Sequence, residues 1–415
     1  MKKLRICFLC FCLFFSGIII TPAADYTVPN ARLGQEVPVS GAALSAMEDV
    51  SMKVEVNAKA AVLMEGATGQ ILMAMNENEQ LYPASVTKIM SMILICEALD
   101  AGKINLTDTV AATENACAKG GSQIWLEPGE EMTVDDLLKA TAVYSANDAC
   151  TLLGEVVAGS EEAFVQMMNE KAQQLGMSNT HFVNCTGLDD TTEEHLTTAY
   201  DIALMSRELL KHDIIKNYST IWMDSLRGGE TQLVNTNKLV RTYKGITGLK
   251  TGTTDKAGCC VSATAERDGL SLIAVVLGSD NSNDRFNGAK AMLDWGFANY
   301  ECYTPTITEE ELPEISVLGA LQEKMTPALP EFSPILVARG QSSAITVEIT
   351  TVENVKAPVE AGQKVGSIRF LAEEEVLCEY NLLCGEDIPK LSFWEFMGKI
   401  LQSIGKEETT ESDSQ

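Results

Sequence analysis

Histidine is scarce in this chain, with 3 residues in 415, and its 12 cysteines show neither two CxxC pairs nor any regular spacing. A zinc site needs several such ligands at set separations, so no metal is expected, nor any other cofactor. Basic residues are in short supply as well: 31 Lys and Arg stand against 58 Asp and Glu, for a formal net charge of -27. A surface of that sign repels a phosphate backbone and excludes nucleic acid as a partner. The irregular cysteine spacing implies no disulfide framework. Cys96, Cys150, Cys259 and Cys260 lie in apolar stretches, where a thiol serves as a small hydrophobe.

An apolar run from Ile6 to Ile20 is short for crossing a bilayer; Lys2, Lys3 and Arg5 precede it, and Thr21, Pro22, Ala23 and Ala24 follow. Basic, apolar and small residues in that order are the layout of a secretory signal peptide, expected over residues 1–24 with cleavage near Ala24. Export removes three basic residues and Cys7, Cys10 and Cys12, so the mature chain is still more acidic and keeps nine cysteines.

Residues 25–53, with Pro29, Pro38 and Gly41 and no sustained period, read as a linker. AKAAVLMEGATGQILMA, residues 58–74, predicts two apolar strands around a turn at Gly66, Ala67, Thr68 and Gly69. The next run is apolar on every side up to Ala98 and stops at Gly102, which predicts a buried helix. Thr133 with Asp136, and Ser160 before Glu161 and Glu162, mark later helix starts. GLKTGTTDKAGCCVSATAE and GLSLIAVVLGS predict strands either side of a turn at Arg267, Asp268 and Gly269, and DRFNGAKAMLDWGFANY a closing helix. The expected fold class is therefore α+β, with helices packed on an antiparallel sheet over residues 54–300. Pro305, Pro313, Pro327, Pro330 and Pro334 mark a boundary, and period-two alternation at Ile345, Val347 and Ile349 predicts a small β-rich domain over 301–390. Residues 391–405 place Phe393, Phe396, Met397, Ile400, Leu401 and Ile404 on one helical face, and 406–415 form an acidic tail. Such a helix suits the plane of a membrane surface.

Three short motifs carry the chemistry. Ser85-Val86-Thr87-Lys88 has the form SxxK, Ser145-Ala146-Asn147 the form SxN, and Lys250-Thr251-Gly252 the form KTG. Each has a bland reading: Ser85 can cap a helix while Lys88 snorkels to water, and Ser145 with Asp148 has the spacing of a capping box. In this order the three mark penicillin-binding proteins and class A β-lactamases. The chemistry explains the residue types. A serine hydroxyl is a poor nucleophile until a neighbour takes its proton, and a lysine three positions on is placed to do so if burial and a second cation such as Lys250 keep its amine neutral.

The chain resembles the low-molecular-mass penicillin-binding proteins that act as serine-type D-alanyl-D-alanine carboxypeptidases. The likeness covers about residues 54–405 and includes AVLMEGATGQIL, PASVTKIM, SANDA, FVNCTGLD, TTAYDIALMSREL, NTNKLV, GITGLKTGTTDKAG and DRFNGAKAMLDWGF, with APVEAGQKVGSIRF and the terminal helix behind them. It departs at Thr253, where some relatives carry histidine, and in its longer N-terminal linker. The resemblance implies a β-lactamase/transpeptidase-like catalytic domain, a peptidoglycan stem peptide as substrate, β-lactams as covalent inhibitors, and a place on the outer face of the cytoplasmic membrane.

On that reading Ser85 is the nucleophile, Lys88 the base, Ser145 a proton relay, and Asn147 a holder of Lys88 and of the substrate amide. Backbone amides of Ser85 and Thr253 are the implied oxyanion hole, while Lys250, Thr251 and Thr253 read the terminal carboxylate. Gly252 is expected to clear the way for an extended peptide. Arg285 has two readings, a surface ion pair with Asp284 or carboxylate binding. Glu193 and Glu194 are expected to be solvated, and His195 to order its loop. Two rivals to the carboxypeptidase are a β-lactamase of related fold, which needs a water-activating base not found here, and a non-catalytic wall-binding or penicillin-sensing protein.

Overall fold

The computed structural model describes residues 36–37, 50–189 and 192–398. The expected signal peptide, most of the expected linker, the acidic tail and residues 399–405 of the expected terminal helix lie outside the described residues.

A five-stranded antiparallel sheet forms the centre of the larger domain. Its strands are β1 (Ala60–Glu65), β2 (Ile71–Met75), β3 (Ile246–Thr254), β4 (Gly258–Arg267) and β5 (Leu270–Ser279), in the spatial order β2-β1-β5-β4-β3. The period of two sorts the side chains to two faces. Ala60, Val62 and Met64 of β1 pack in one apolar core with Ile273, Val275 and Leu277 of β5, while Ala61 and Leu63 pack in a second with Leu272, Ala274 and Val276. Both faces are covered, so these strands read as unbroken apolar runs. The first core is closed by helices α1 (Lys88–Asp100) and α2 (Asn147–Ala158), the second by α3 (Ser282–Asn299), which contributes Phe286, Met292 and Phe297. Burial of α1 is continuous from Lys88 to Cys96, as expected of a helix apolar on all sides.

The turn between β1 and β2 is fixed by its own residues. The Glu65 carboxylate accepts from the amides of Ala67 at 2.8 Å and Thr68 at 2.6 Å, and Arg207 Nε donates to Gly66 O at 2.9 Å.

After Tyr300 a β-rich unit follows. Its main sheet contains β6 (Ile345–Thr351), β7 (Lys364–Ala372) and β8 (Glu375–Leu383), with β7 central. Glu36 and Val37, in the stretch expected to be a linker, add to the free edge of β8 opposite Tyr380 and Glu379. Edge pairing needs only backbone groups, so two residues of no particular pattern serve. Tyr303, Phe332, Phe370 and Tyr380 make a mutually tilted aromatic cluster with centroid separations of 5.0–6.0 Å. Beyond it, residues 393–398 form helix that leaves Phe393, Trp394 and Phe396 exposed. Ser392 caps it: Glu395 N donates to Ser392 Oγ at 3.3 Å, and Ser392 N to the Glu395 carboxylate at 2.8 Å. Among the described residues no helix is long and apolar enough to cross a membrane, and the nine cysteines from Cys96 to Cys384 are free thiols.

Candidate active site

Strand β3 lies at the edge of the sheet, and at Gly252 one of its faces packs on the turn that leads into α1. Ser85 sits in a tight 3-10 turn, Ala84–Thr87, and Lys88 is the first residue of α1. In such a turn positions i and i+3 nearly eclipse, which sets Lys88 beside Ser85. The Ser85 side chain makes no cap, and Ala84 just before it has φ 47, in the left-handed region.

Lys88 is fully buried, which rules out snorkelling. Its Nζ lies 3.0 Å from Ser85 Oγ, 2.6 Å from Asn147 Oδ1 and 2.8 Å from the carbonyl oxygen of Thr186. Burial pushes its pKa down to about 8. Thiols and a carboxylate nearby, Cys150, Cys185 and Asp148, partly oppose that shift. Lys250 is also fully buried, donates to Thr251 O at 3.1 Å, and is pushed well below the usual lysine value by burial, then by the charges of Lys88 and Arg285. Burial is the main cause at both lysines, and the repulsion between the two ammonium groups disfavours charging both at once.

Ser145 has φ 68 and ends a π-helical turn over Ala140–Tyr144; it makes no capping bond, and its buried Oγ has no hydrogen-bond partner among the described residues. Asn147 begins α2. Its Nδ2 donates to Gly120 O and its backbone N to Ser122 O, both at 2.7 Å.

On β3, Thr251 Oγ1 donates to Thr236 Oγ1 at 2.7 Å, and Thr253 is exposed. A Cβ added at Gly252 would meet Pro83 O at 2.7 Å and Ser85 N at 2.9 Å. The glycine therefore lets the strand close on the serine turn itself, a different reason from the clearance for a peptide expected above. Arg285 makes no ion pair with Asp284, which instead accepts from Asn281. It is buried with Nη1 donating to Gly252 O at 2.9 Å, Thr253 Oγ1 at 2.9 Å and Cys260 O at 3.2 Å, while its Nε has no partner among the described residues. It braces the end of β3 from behind.

Four groups carry no side-chain motif and were missed. Thr186 presents its carbonyl to Lys88, Gly120 and Ser122 present theirs to Asn147, and Thr236 holds Thr251. Asn184 shapes the first: its Oδ1 accepts from Thr186 N at 3.1 Å and Gly187 N at 2.7 Å, folding the loop so that the carbonyl faces Lys88. An Asn two residues before Thr-Gly is a turn signal that could have located it.

His195 is buried, with Nδ1 accepting from Val183 N at 3.1 Å, so Nε2 carries the proton and donates to Thr87 Oγ1 at 2.8 Å. Burial drops its pKa to about 4, and the neutral ring ties the loop to the serine turn. Glu193 is exposed but not merely solvated: it accepts from Tyr82 Oη and from Lys256 Nζ, the latter at 2.8 Å. Among the described residues no group of three or more His, Cys, Asp and Glu side chains could hold a metal ion.

A helix-flanked antiparallel sheet with SxxK, SxN and KTG gathered at one edge is the arrangement of penicillin-binding proteins and β-lactamases. Comparison with known families narrows this. Residues 46–281 match the D-alanyl-D-alanine carboxypeptidase family, peptidase S11, and residues 303–390 match the penicillin-binding protein 5 C-terminal domain. The chain belongs to the peptidase S11 family of D-alanyl-D-alanine carboxypeptidases. It is 41% identical over 348 residues to D-alanyl-D-alanine carboxypeptidase DacF of Bacillus subtilis, covering 83% of this chain and 89% of that one. To DacC of Escherichia coli it is 34% identical, with 82% and 88% covered. Penicillin-binding protein 5 from Haemophilus influenzae superposes with a TM-score of 0.72 at 28% identity, over 82% of this chain and 99% of that one. Penicillin-binding protein D2 from Listeria monocytogenes in its cefotaxime-bound form gives 0.55 at 30% identity, over 60% and 100%.

Proposed function

We propose that this chain is an exported peptidoglycan D-alanyl-D-alanine carboxypeptidase that removes the terminal D-alanine of stem pentapeptides through an acyl-enzyme on Ser85. One observation carries the assignment of roles. Lys88 Nζ has three neighbours, two of which, Asn147 Oδ1 and Thr186 O, only accept hydrogen bonds. In the neutral amine they take both N–H groups, and the lone pair is left aimed at the hydroxyl of Ser85, 3.0 Å away. Lys88 takes the serine proton as Ser85 Oγ bonds to the penultimate carbonyl carbon. Ser145, whose buried hydroxyl has no partner among the described residues, relays that proton from Lys88 to the departing D-alanine nitrogen as the peptide bond breaks, so both groups return to their starting state. Water then cleaves the ester, returning the serine proton and releasing the shortened peptide.

The free edge of β3 suits an extended substrate, which pairs with its backbone as an added strand. Backbone amides of Ser85 and Thr253 hold the oxyanion, and Gly252 brings those two segments together. Lys250, Thr251 and Thr253 read the terminal carboxylate, with Arg285 supporting Thr253. β-Lactams acylate the same serine, and the cefotaxime-bound Listeria relative supports that reading. Glu193 is engaged by Tyr82 and Lys256 and so is not placed to activate water, and the penicilloyl ester persists. The leader directs export, and the terminal helix rests on the outer face of the cytoplasmic membrane.

The test is release of free D-alanine from Nα,Nε-diacetyl-L-Lys-D-Ala-D-Ala by the mature protein, with a lasting penicilloyl mass on the Ser85 peptide after benzylpenicillin. Sustained penicillin hydrolysis moves the chain to the β-lactamases. Acylation without any D-alanine release moves it to the penicillin sensors.

A further inference from the structure

The loop 120–126 carries an aromatic ring that the acyl-transfer chemistry leaves unused. Trp125 is 76% exposed, and among the described residues of 54–300 no other aromatic side chain is so classed. Its backbone has φ 58, a left-handed conformation that costs a non-glycine residue about 1–2 kcal/mol. Both neighbours are buried, Ile124 and Leu126, and both donate their backbone N–H to the buried Asp148 carboxylate at 3.1 Å. Arg227 Nη1 donates to Ile124 O at 2.8 Å, and Arg227 is itself paired with Glu130. Asn147 anchors the start of the same loop through Gly120 O and Ser122 O. The indole is thus presented to water by a backbone held on both sides, by Asn147 and Asp148 at the start of α2 and by Arg227. At its foot the loop meets the Thr186 loop, since a Cβ added at Gly121 would come within 3.4 Å of Leu188 Cδ2. An aromatic side chain with few torsions on a backbone already fixed loses little freedom on contact, which makes it a good anchor.

Resting on the carboxypeptidase reading, we propose that Trp125 is a specificity residue that packs against the aliphatic side chain of the substrate residue immediately upstream of D-Ala-D-Ala. Asn147 Nδ2 has two hydrogens. One goes to Gly120 O, and the other is free for the carbonyl of the amide that joins this upstream residue to the penultimate D-alanine. An upstream residue held there lies beside the loop that Asn147 itself anchors. The glycan of a wall fragment begins about three residues further on, or roughly 10 Å of extended chain, which puts it beyond this contact.

The experiment compares Trp125→Ala and Trp125→Phe with the parent on diacetyl-L-Lys-D-Ala-D-Ala, on a muramyl pentapeptide, and on 6-aminopenicillanic acid, which has no acyl side chain. The alanine variant is expected to lose roughly tenfold in kcat/KM on both peptides, mainly through KM, with the phenylalanine variant close to parent. Acylation by 6-aminopenicillanic acid stays at the parental rate. Unchanged peptide kinetics overturn the proposal, as does a loss confined to the muramyl substrate, which assigns the ring to sugar. An equal loss with 6-aminopenicillanic acid also overturns it, because the loop then serves only to place Asn147. A parent that releases no D-alanine overturns the underlying reading instead.

Discussion

The carbonyl oxygen of Thr186 lies 2.8 Å from Lys88 Nζ, although 98 residues separate them in the chain. That contact fixes where the third tetrahedral position of the amine points, and so turns a buried lysine into a candidate base for Ser85. It also makes the chemistry depend on protonation. A charged Lys88 fills the third position with N–H and has no lone pair to offer. With a pKa near 8, about one molecule in ten is neutral at pH 7, against about one in 2,500 for a lysine at its ordinary ~10.4. The rate constant for acylation by benzylpenicillin, whose own charge is constant from pH 6 to 10, is expected to rise about tenfold per pH unit below 7 and to flatten above pH 8. A profile flat across that range removes Lys88 from the base role.

The turn that presents the Thr186 carbonyl depends on Gly187. It has φ +87, and a Cβ there would fall 1.8 Å from Ala84 O and 2.7 Å from Thr87 Oγ1, atoms of the serine turn. Neither can retreat without moving Ser85. Gly187→Ala is expected to cost more than about 3 kcal/mol in urea unfolding, combining overpacking with a disfavoured backbone. Gly228→Ala separates the two effects, because Gly228 has φ +65 with nothing within 4 Å, and it should cost only ~1–2 kcal/mol. Equal losses in the two variants contradict the close packing.

Much of this was legible because it is carried by side chains. SxxK, SxN and KTG are visible in the sequence, and the doubly covered strands appear as unbroken apolar runs such as Ala60–Met64. What was not legible is carried by backbone. Thr186, Gly120 and Ser122 act through carbonyl oxygens, which any residue type supplies. Local pattern also misjudged Ser145: SAND reads as a capping box, but a left-handed backbone at Ser145 turns the hydroxyl away from the helix amides. A surface pair with Asp284 was one of two readings of Arg285, and α3 turns the arginine inward under β3 while Asp284 faces Asn281. For Arg285 contacts distant in sequence outweigh the neighbour beside it, whereas for Ser145 the local backbone conformation decides.

The exposed side chains of Phe393, Trp394 and Phe396 bear on attachment. On the helix expected over 391–405, Phe393 and Phe396 share one side with Met397, Ile400, Leu401 and Ile404, with Trp394 at its margin, and burial at ~1.5 kcal/mol per large side chain would be enough to hold it in a membrane interface. A chain ending at Pro389 keeps all of β6, β7 and β8 and is expected to remain in the supernatant on ultracentrifugation with liposomes, while the longer mature chain sediments. Its release of D-alanine should be undiminished. Equal sedimentation of the two chains contradicts the attachment.

Lys88→Ala separates the catalytic reading from the packing one. Lys88 is fully buried with no carboxylate hydrogen-bonded to it, so its removal relieves a desolvated cation while leaving a gap beside Asn147 and Thr186. Those effects partly offset, and the variant is expected to fold, which its circular dichroism will report. If Lys88 only fills space, the folded variant keeps its reactivity. If it takes the proton of Ser85, no other group in the site can replace it: Lys250 is hydrogen-bonded to Thr251 O, Ser145 is a hydroxyl, and the His195 ring is committed to Thr87 and Val183. D-Alanine release and penicillin acylation should then fall together by roughly a hundredfold to ten-thousandfold, the range expected when a general base is lost. A folded variant acylated at near the parental rate assigns the proton to another acceptor.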